Sequence, residues 1–67
     1  MQAIKLKDLK KGEWFTRKEI EYPNDNQVFI RGDYCREDKK YYNQRYSDIN
    51  SEIALKGDTV VYIGFTF

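Results

Sequence analysis

Arg31, Tyr34, Arg36, Lys39, Lys40, Tyr41 and Arg45, with Tyr42 and Tyr46 interleaved, form the part of this chain whose residue types could do chemistry. A tyrosine ring stacks on a nucleobase or on an apolar partner surface. Lysine pairs with phosphate or carboxylate, and arginine can both pair and stack. That mixture points to contact with a macromolecule rather than to bond making. Residues 34–46 hold four Lys or Arg against two acids, a local excess of +2, and the 67-residue chain nets only +1. So small a charge attracts a polyanion weakly, which ranks a protein partner above a nucleic acid. Strand parity also separates Tyr41 from Tyr42, so these rings cannot all share one face and some belong to the core.

Lys5, Lys7, Lys10, Lys11, Arg17 and Lys18 give residues 1–20 a second basic stretch, six cations against three acids. Lysines beside an N-terminal strand usually serve solubility and edge protection. Catalysis has little to work with. The chain lacks histidine, the usual proton carrier near pH 7 and a common metal ligand. Cys35 is the single cysteine, with no histidine to activate it and no second thiol for a disulfide or a zinc site. Asp33, Glu37 and Asp38 lie close together without calcium-loop spacing, and glycines 12, 32, 57 and 64 are too scattered to cradle a phosphate.

The expectation is therefore a non-enzymatic protein with no catalytic residue, no cofactor and no metal. A lone thiol suits a reducing cytoplasm. Lysines interrupt Ile4, Leu6 and Leu9, so residues 1–11 form no signal-peptide core. No run approaches the ~20 apolar residues of a membrane span. A cytoplasmic protein without membrane contact is expected.

The elements that must position the basic and aromatic residues are read from periodicity. Ile4 and Leu6 alternate with lysines in a short extended segment. Residues 13–20 begin as a strand at Trp14, Phe15 and Thr16, and the turn formers of residues 23–26 close it. In residues 27–34, Val28, Ile30 and Tyr34 share one face, and Phe29, Arg31 and Asp33 the other. Gly32 within that strand predicts a bulge, a bend or a close backbone crossing. Residues 35–39 turn, and residues 40–46 return antiparallel with Tyr42, Gln44 and Tyr46 on one face and Tyr41, Asn43 and Arg45 on the other. Residues 48–56 read as a short helix carrying Ile49, Ile53, Ala54 and Leu55. Residues 59–67 form the clearest strand, with Val61, Ile63, Phe65 and Phe67 on its apolar face and the C-terminus inside the fold. Ile63 is expected among the most damaging sites for truncation to alanine.

Together these elements describe a single mainly β domain over residues 1–67, with four or five strands and at most one short helix. The expected form is a small curled antiparallel sheet or an SH3-like or OB-like barrel. An open antiparallel sheet with a helix across it is the runner-up. Exposed strand edges would also allow homo-oligomerisation.

Four strings carry a resemblance: L-K-x-G-E-W-F at residues 9–15 with Lys11 at x, V-F-I-R-G-D-Y at 28–34, D-I-N at 48–50 and V-Y-I-G-F-T-F at 61–67. Together they resemble small uncharacterised single-domain proteins of gut bacteria and their phages or mobile elements, across nearly the whole chain. The resemblance implies a compact β protein of a mobile element and gives no residue a catalytic role. The residues leave two readings open: a binding or adaptor domain that contacts another protein, and a small nucleic-acid-binding domain with a regulatory role in a mobile element.

Overall fold

Seven strands emerge from the alternating pattern in the computed structural model, which describes every residue from Met1 to Phe67. They are β1 (Gln2–Lys5), β2 (Trp14–Thr16), β3 (Val28–Ile30), β4 (Tyr34–Cys35), β5 (Lys40–Arg45), β6 (Asp48–Lys56) and β7 (Val60–Ile63). All pairings are antiparallel, in the order β1-β7-β2-β3-β5-β4, with β6 on the other edge of β5. Two 3₁₀ turns, Leu6–Asp8 and Asp25–Gln27, complete the regular structure.

The count exceeds the expected four or five for two reasons. The strand foreseen over residues 27–34 is broken into β3 and β4, and the helix foreseen over residues 48–56 is strand β6. A nine-residue helix is marginal in water. In extended form the same residues pair along β5 from Lys40↔Lys56 to Gln44↔Glu52. They also place Ser51, Ile53 and Leu55 on the half-buried side and Glu52, Ala54 and Lys56 in solvent. Period two wins because β5 offers a row of backbone partners that a helix would leave unpaired. Near the turn the register jumps from Gln44↔Glu52 to Arg45↔Asp48, so residues 49–51 are extruded and Ile49 is exposed.

The sheet is neither a closed barrel nor strongly curled, contrary to the expected curled sheet or SH3-like or OB-like barrel. Closure requires the end strands to exchange backbone bonds, and β1 bonds only to β7. The turn at Leu6–Asp8 occupies the gap: the Leu6 and Lys7 amides donate to the Thr59 and Gly57 carbonyls, each at 3.0 Å. The result is a slab of 35 × 25 × 16 Å.

Its core lies on one face. Leu6 and Leu9 close over Phe15, Phe29 and Val61, with Ile4, Tyr41, Ile53, Leu55 and Ile63 partly buried around them. The rings of Phe15 and Phe29 stack at 5.7 Å. Val61 and Ile63 lie on the apolar face of β7 as expected, although Ile63 is only half-buried. The C-terminal residues depart from that face. Gly64 adopts φ +82°, a conformation open to glycine, and ends the alternation after Ile63. Phe67 thus lands on the opposite side of the sheet and is 47% exposed rather than inside the core.

Candidate functional site

The geometry of the basic and aromatic segment is set by one bulge. Phe29↔Arg45 and Ile30↔Gln44 pair before it, and Tyr34↔Tyr41 and Cys35↔Lys40 after it. Residues 31–33 therefore oppose only Tyr42 and Asn43, one residue too many for a regular ladder. Gly32 is obligatory there, since a Cβ would sit 1.8 Å from the Tyr42 carbonyl oxygen. Fully buried Asn43 fastens the bulge. Its side-chain oxygen accepts from the Gly32 amide at 3.2 Å, and its NH₂ donates to the Tyr41 and Ile53 carbonyls at 3.1 and 3.4 Å.

The extra residue reverses the phase of β4, so Tyr34 leaves the face of Val28 and Ile30, where period two had placed it. It joins Tyr41 on the core side, with centroids 4.9 Å apart. Arg31 lays its guanidinium over the Tyr41 ring at 4.1 Å, and its buried Nε has no hydrogen-bond partner. Tyr41 is thus covered by Arg31, Tyr34 and the core. Of the two tyrosines, only Tyr34 is exposed.

The other candidates scatter. Arg45 covers the Phe29 ring at 5.0 Å and donates from Nη1 to the Asn26 carbonyl, so its charge is directed toward its own chain. Lys40 is on the opposite face from Tyr41 and Arg45, directly across from Lys56. Arg36 and Lys39 are exposed in the β4–β5 turn, where Lys39 has φ +55°. Tyr42 shares the Lys40 face, and its hydroxyl donates to Asp38 Oδ2. That bond needs the tyrosine proton, so it raises the Tyr42 pKa above the ordinary value, with smaller contributions from desolvation and the Asp38 charge. The seven expected contact residues are therefore divided between two faces and a turn.

A shallow depression of about 510 Å³ is lined by Tyr34, Tyr41, Lys7, Lys39, Lys56 and two acids, Asp38 and Asp58. Asp58 pairs with Lys7 at 3.3 Å. Lys39 and Lys56 form no ion pair.

A second aromatic group was not expected as a unit. Trp14 alternates with core residue Phe15 and so faces away from the core, as does Tyr46 by its parity with Tyr42 and Gln44. Phe67 reaches the same place through the turn at Gly64. Their centroids lie 5.2 Å (Trp14–Tyr46), 5.6 Å (Trp14–Phe67) and 5.0 Å (Tyr46–Phe67) apart, in tilted and edge-to-face arrangements. The residues remain 43, 44 and 47% exposed, respectively. The layer stands on the side of the sheet that holds fully buried Thr16 and Val28, and the Tyr46 amide donates to the Val28 carbonyl at 2.9 Å. Alternation alone orients Trp14 and Tyr46. No periodicity locates Phe67.

No group of three or more His, Cys, Asp or Glu converges to hold a metal ion, and no helix is long and apolar enough to cross a membrane. Searches of family models, curated proteins and solved structures found no match to the chain.

Proposed function

We propose that this chain is a non-enzymatic binding domain that docks another protein on the layer formed by Trp14, Tyr46 and Phe67. One observation carries the reading: three large rings pack together yet each keeps close to half its surface in water. Such rings are wide, stiff and apolar, the properties that let a few residues dominate a protein interface. The Trp14 indole N–H donates to no group of the chain, which leaves a directional polar contact for a partner. No lysine or arginine stacks on any of the three rings, which favours a protein over a polyanion.

Trp14 is the only tryptophan and so reports on its own surface. Docking is expected to shift its emission to shorter wavelength and shield it from acrylamide. The partner is sought by co-purification from the source cells. Wild-type protein and a triple Arg36→Gln, Lys39→Gln, Lys40→Gln variant should retain it, and Trp14→Ala should lose it. Retention by Trp14→Ala with loss in the triple variant would reject the aromatic layer as the interface.

Tyr34 beside the unpaired Lys39 and Lys56 supports a second reading, contact with single-stranded nucleic acid in a regulatory role within a mobile element. Its signature would be oligonucleotide-induced amide shifts centred on Tyr34 and Lys39 that fade between ~50 and ~200 mM salt. Asp38 and Asp58 in the same depression place it second.

A further inference from the structure

Where the chain leaves β2 and passes the 3₁₀ turn before β3, it encloses an open depression of about 380 Å³ lined by Arg17, Lys18, Ile20, Asn26, Gln27 and Phe29. Its volume is in the range of small-molecule sites. We infer that this depression binds a small organic anion, a phosphate or carboxylate carried on an apolar group.

The argument rests on which atoms remain free. Arg17 and Lys18 take part in neither of the two ion pairs of the chain, which use Lys7 and Lys11. The side-chain oxygen of Asn26 already accepts from the Ser47 hydroxyl at 2.9 Å, and that of Gln27 accepts from the Asn24 amide at 3.0 Å. Each amide oxygen has spent one of its two lone pairs, while both NH₂ groups are free. The side chains lining the depression therefore offer many more donors than acceptors.

Of the three acids of the same segment, Glu19 and Glu21 line a separate hollow with Met1 and Gly64, and Asp25 does not line the depression. Ile20, half-buried, and the small exposed edge of Phe29 supply the apolar surface. A neutral ligand would leave two cations unmatched, and a cation would meet only like charge. An anion with a hydrocarbon part matches both halves.

These residues are separate from the aromatic layer, so the inference stands or falls independently of the proposed function. The test is amide NMR of labelled protein titrated separately with phenyl phosphate, phenylacetate, inorganic phosphate and benzyl alcohol. Phenyl phosphate or phenylacetate is expected to give saturable shifts centred on Arg17, Lys18, Gln27 and Phe29, and the tighter of the two identifies the headgroup. Inorganic phosphate and benzyl alcohol, each lacking one half of the chemistry, should bind at least about tenfold more weakly.

Arg17→Gln with Lys18→Gln, both at exposed positions, should weaken the better probe about tenfold, while Lys39→Gln with Lys40→Gln and Trp14→Ala leave it unchanged. Shifts spread over all lysines would overturn the site. So would no saturation by ~10 mM probe, or binding by benzyl alcohol as tight as by the anions.

Discussion

The tyrosine–arginine stack around Tyr41 and the aromatic layer around Trp14 use similar residue types on opposite faces of one sheet, and they differ in what surrounds each ring. Tyr41 is covered by the Arg31 guanidinium, the Tyr34 ring and the core. Its π surface is already spent on the fold. In the other region Trp14, Tyr46 and Phe67 pack against one another in tilted and edge-to-face arrangements, no cation stacks on them, and each keeps close to half its surface in water. A cluster of tyrosines and cations in sequence is thus a poor guide to a binding platform. Cations near rings readily satisfy them internally, whereas rings without such partners remain available.

Both regions hang on β3 and β5, and the largest expected effect comes from breaking that frame. Gly32→Ala should cost roughly 3 kcal/mol or more, because a Cβ against the Tyr42 carbonyl forces apart the strands that hold Tyr34 over Tyr41. Chemical denaturation measures it. A loss below about 1 kcal/mol would show that the bulge relaxes easily and that the Tyr34–Tyr41 stack does not depend on it.

Asn43→Ala comes next, at about 2 to 3 kcal/mol, since it leaves the Gly32 amide and the Ile53 carbonyl without their side-chain partner. Asn43→Asp, which keeps the acceptor toward Gly32 and loses the NH₂ donor, should fold no better than the alanine variant. A near-neutral result would make the hydrogen bonds incidental.

The two aromatic regions are separated directly by Trp14→Ala and Tyr34→Ala. Each removes one ring from a partly exposed cluster, so each should cost only about 1 kcal/mol in stability. Binding should divide them, with partner affinity falling at least about tenfold for Trp14→Ala and staying unchanged for Tyr34→Ala. Equal losses in both would erase the distinction between the faces.

The smallest effect concerns Tyr42, whose pKa is raised by its bond to Asp38. A raised value means that the folded state holds the phenolic proton more tightly than the unfolded chain does. The associated stabilisation is complete below the ordinary tyrosine pKa and is lost as pH rises through the raised one. Asp38→Asn should lower the pH at which Tyr42 ionises, read from the ring carbon shifts in NMR. An unchanged midpoint would remove Asp38 as the cause.

Much of the architecture is legible in residue order. Alternation places Trp14 opposite Phe15 and Tyr41 opposite Tyr42, and it puts Val61 and Ile63 on the core face. Gly32 is recognisable as a break in its strand, because a lone glycine in an apolar alternation marks a bulge or a close crossing. Residues 48–56 mislead: Ile49, Ile53, Ala54 and Leu55 fit a helical face as well as a strand, and only the free edge of β5 distinguishes the two.

What the amino-acid order determined by itself is the mainly β class, the lack of histidine and of a second thiol, and the side of the sheet each residue takes while alternation is unbroken. Those properties are local or compositional. The tertiary structure decided the phase of Tyr34 beyond the bulge, the open rather than closed sheet, and the meeting of Trp14, Tyr46 and Phe67. Each depends on where the chain stops alternating: one extra residue at 31–33 inverts a face, and one positive φ at Gly64 carries the C-terminus across the sheet. Period two carries no information past such a point, because the side a residue takes is then set by backbone packing from distant strands.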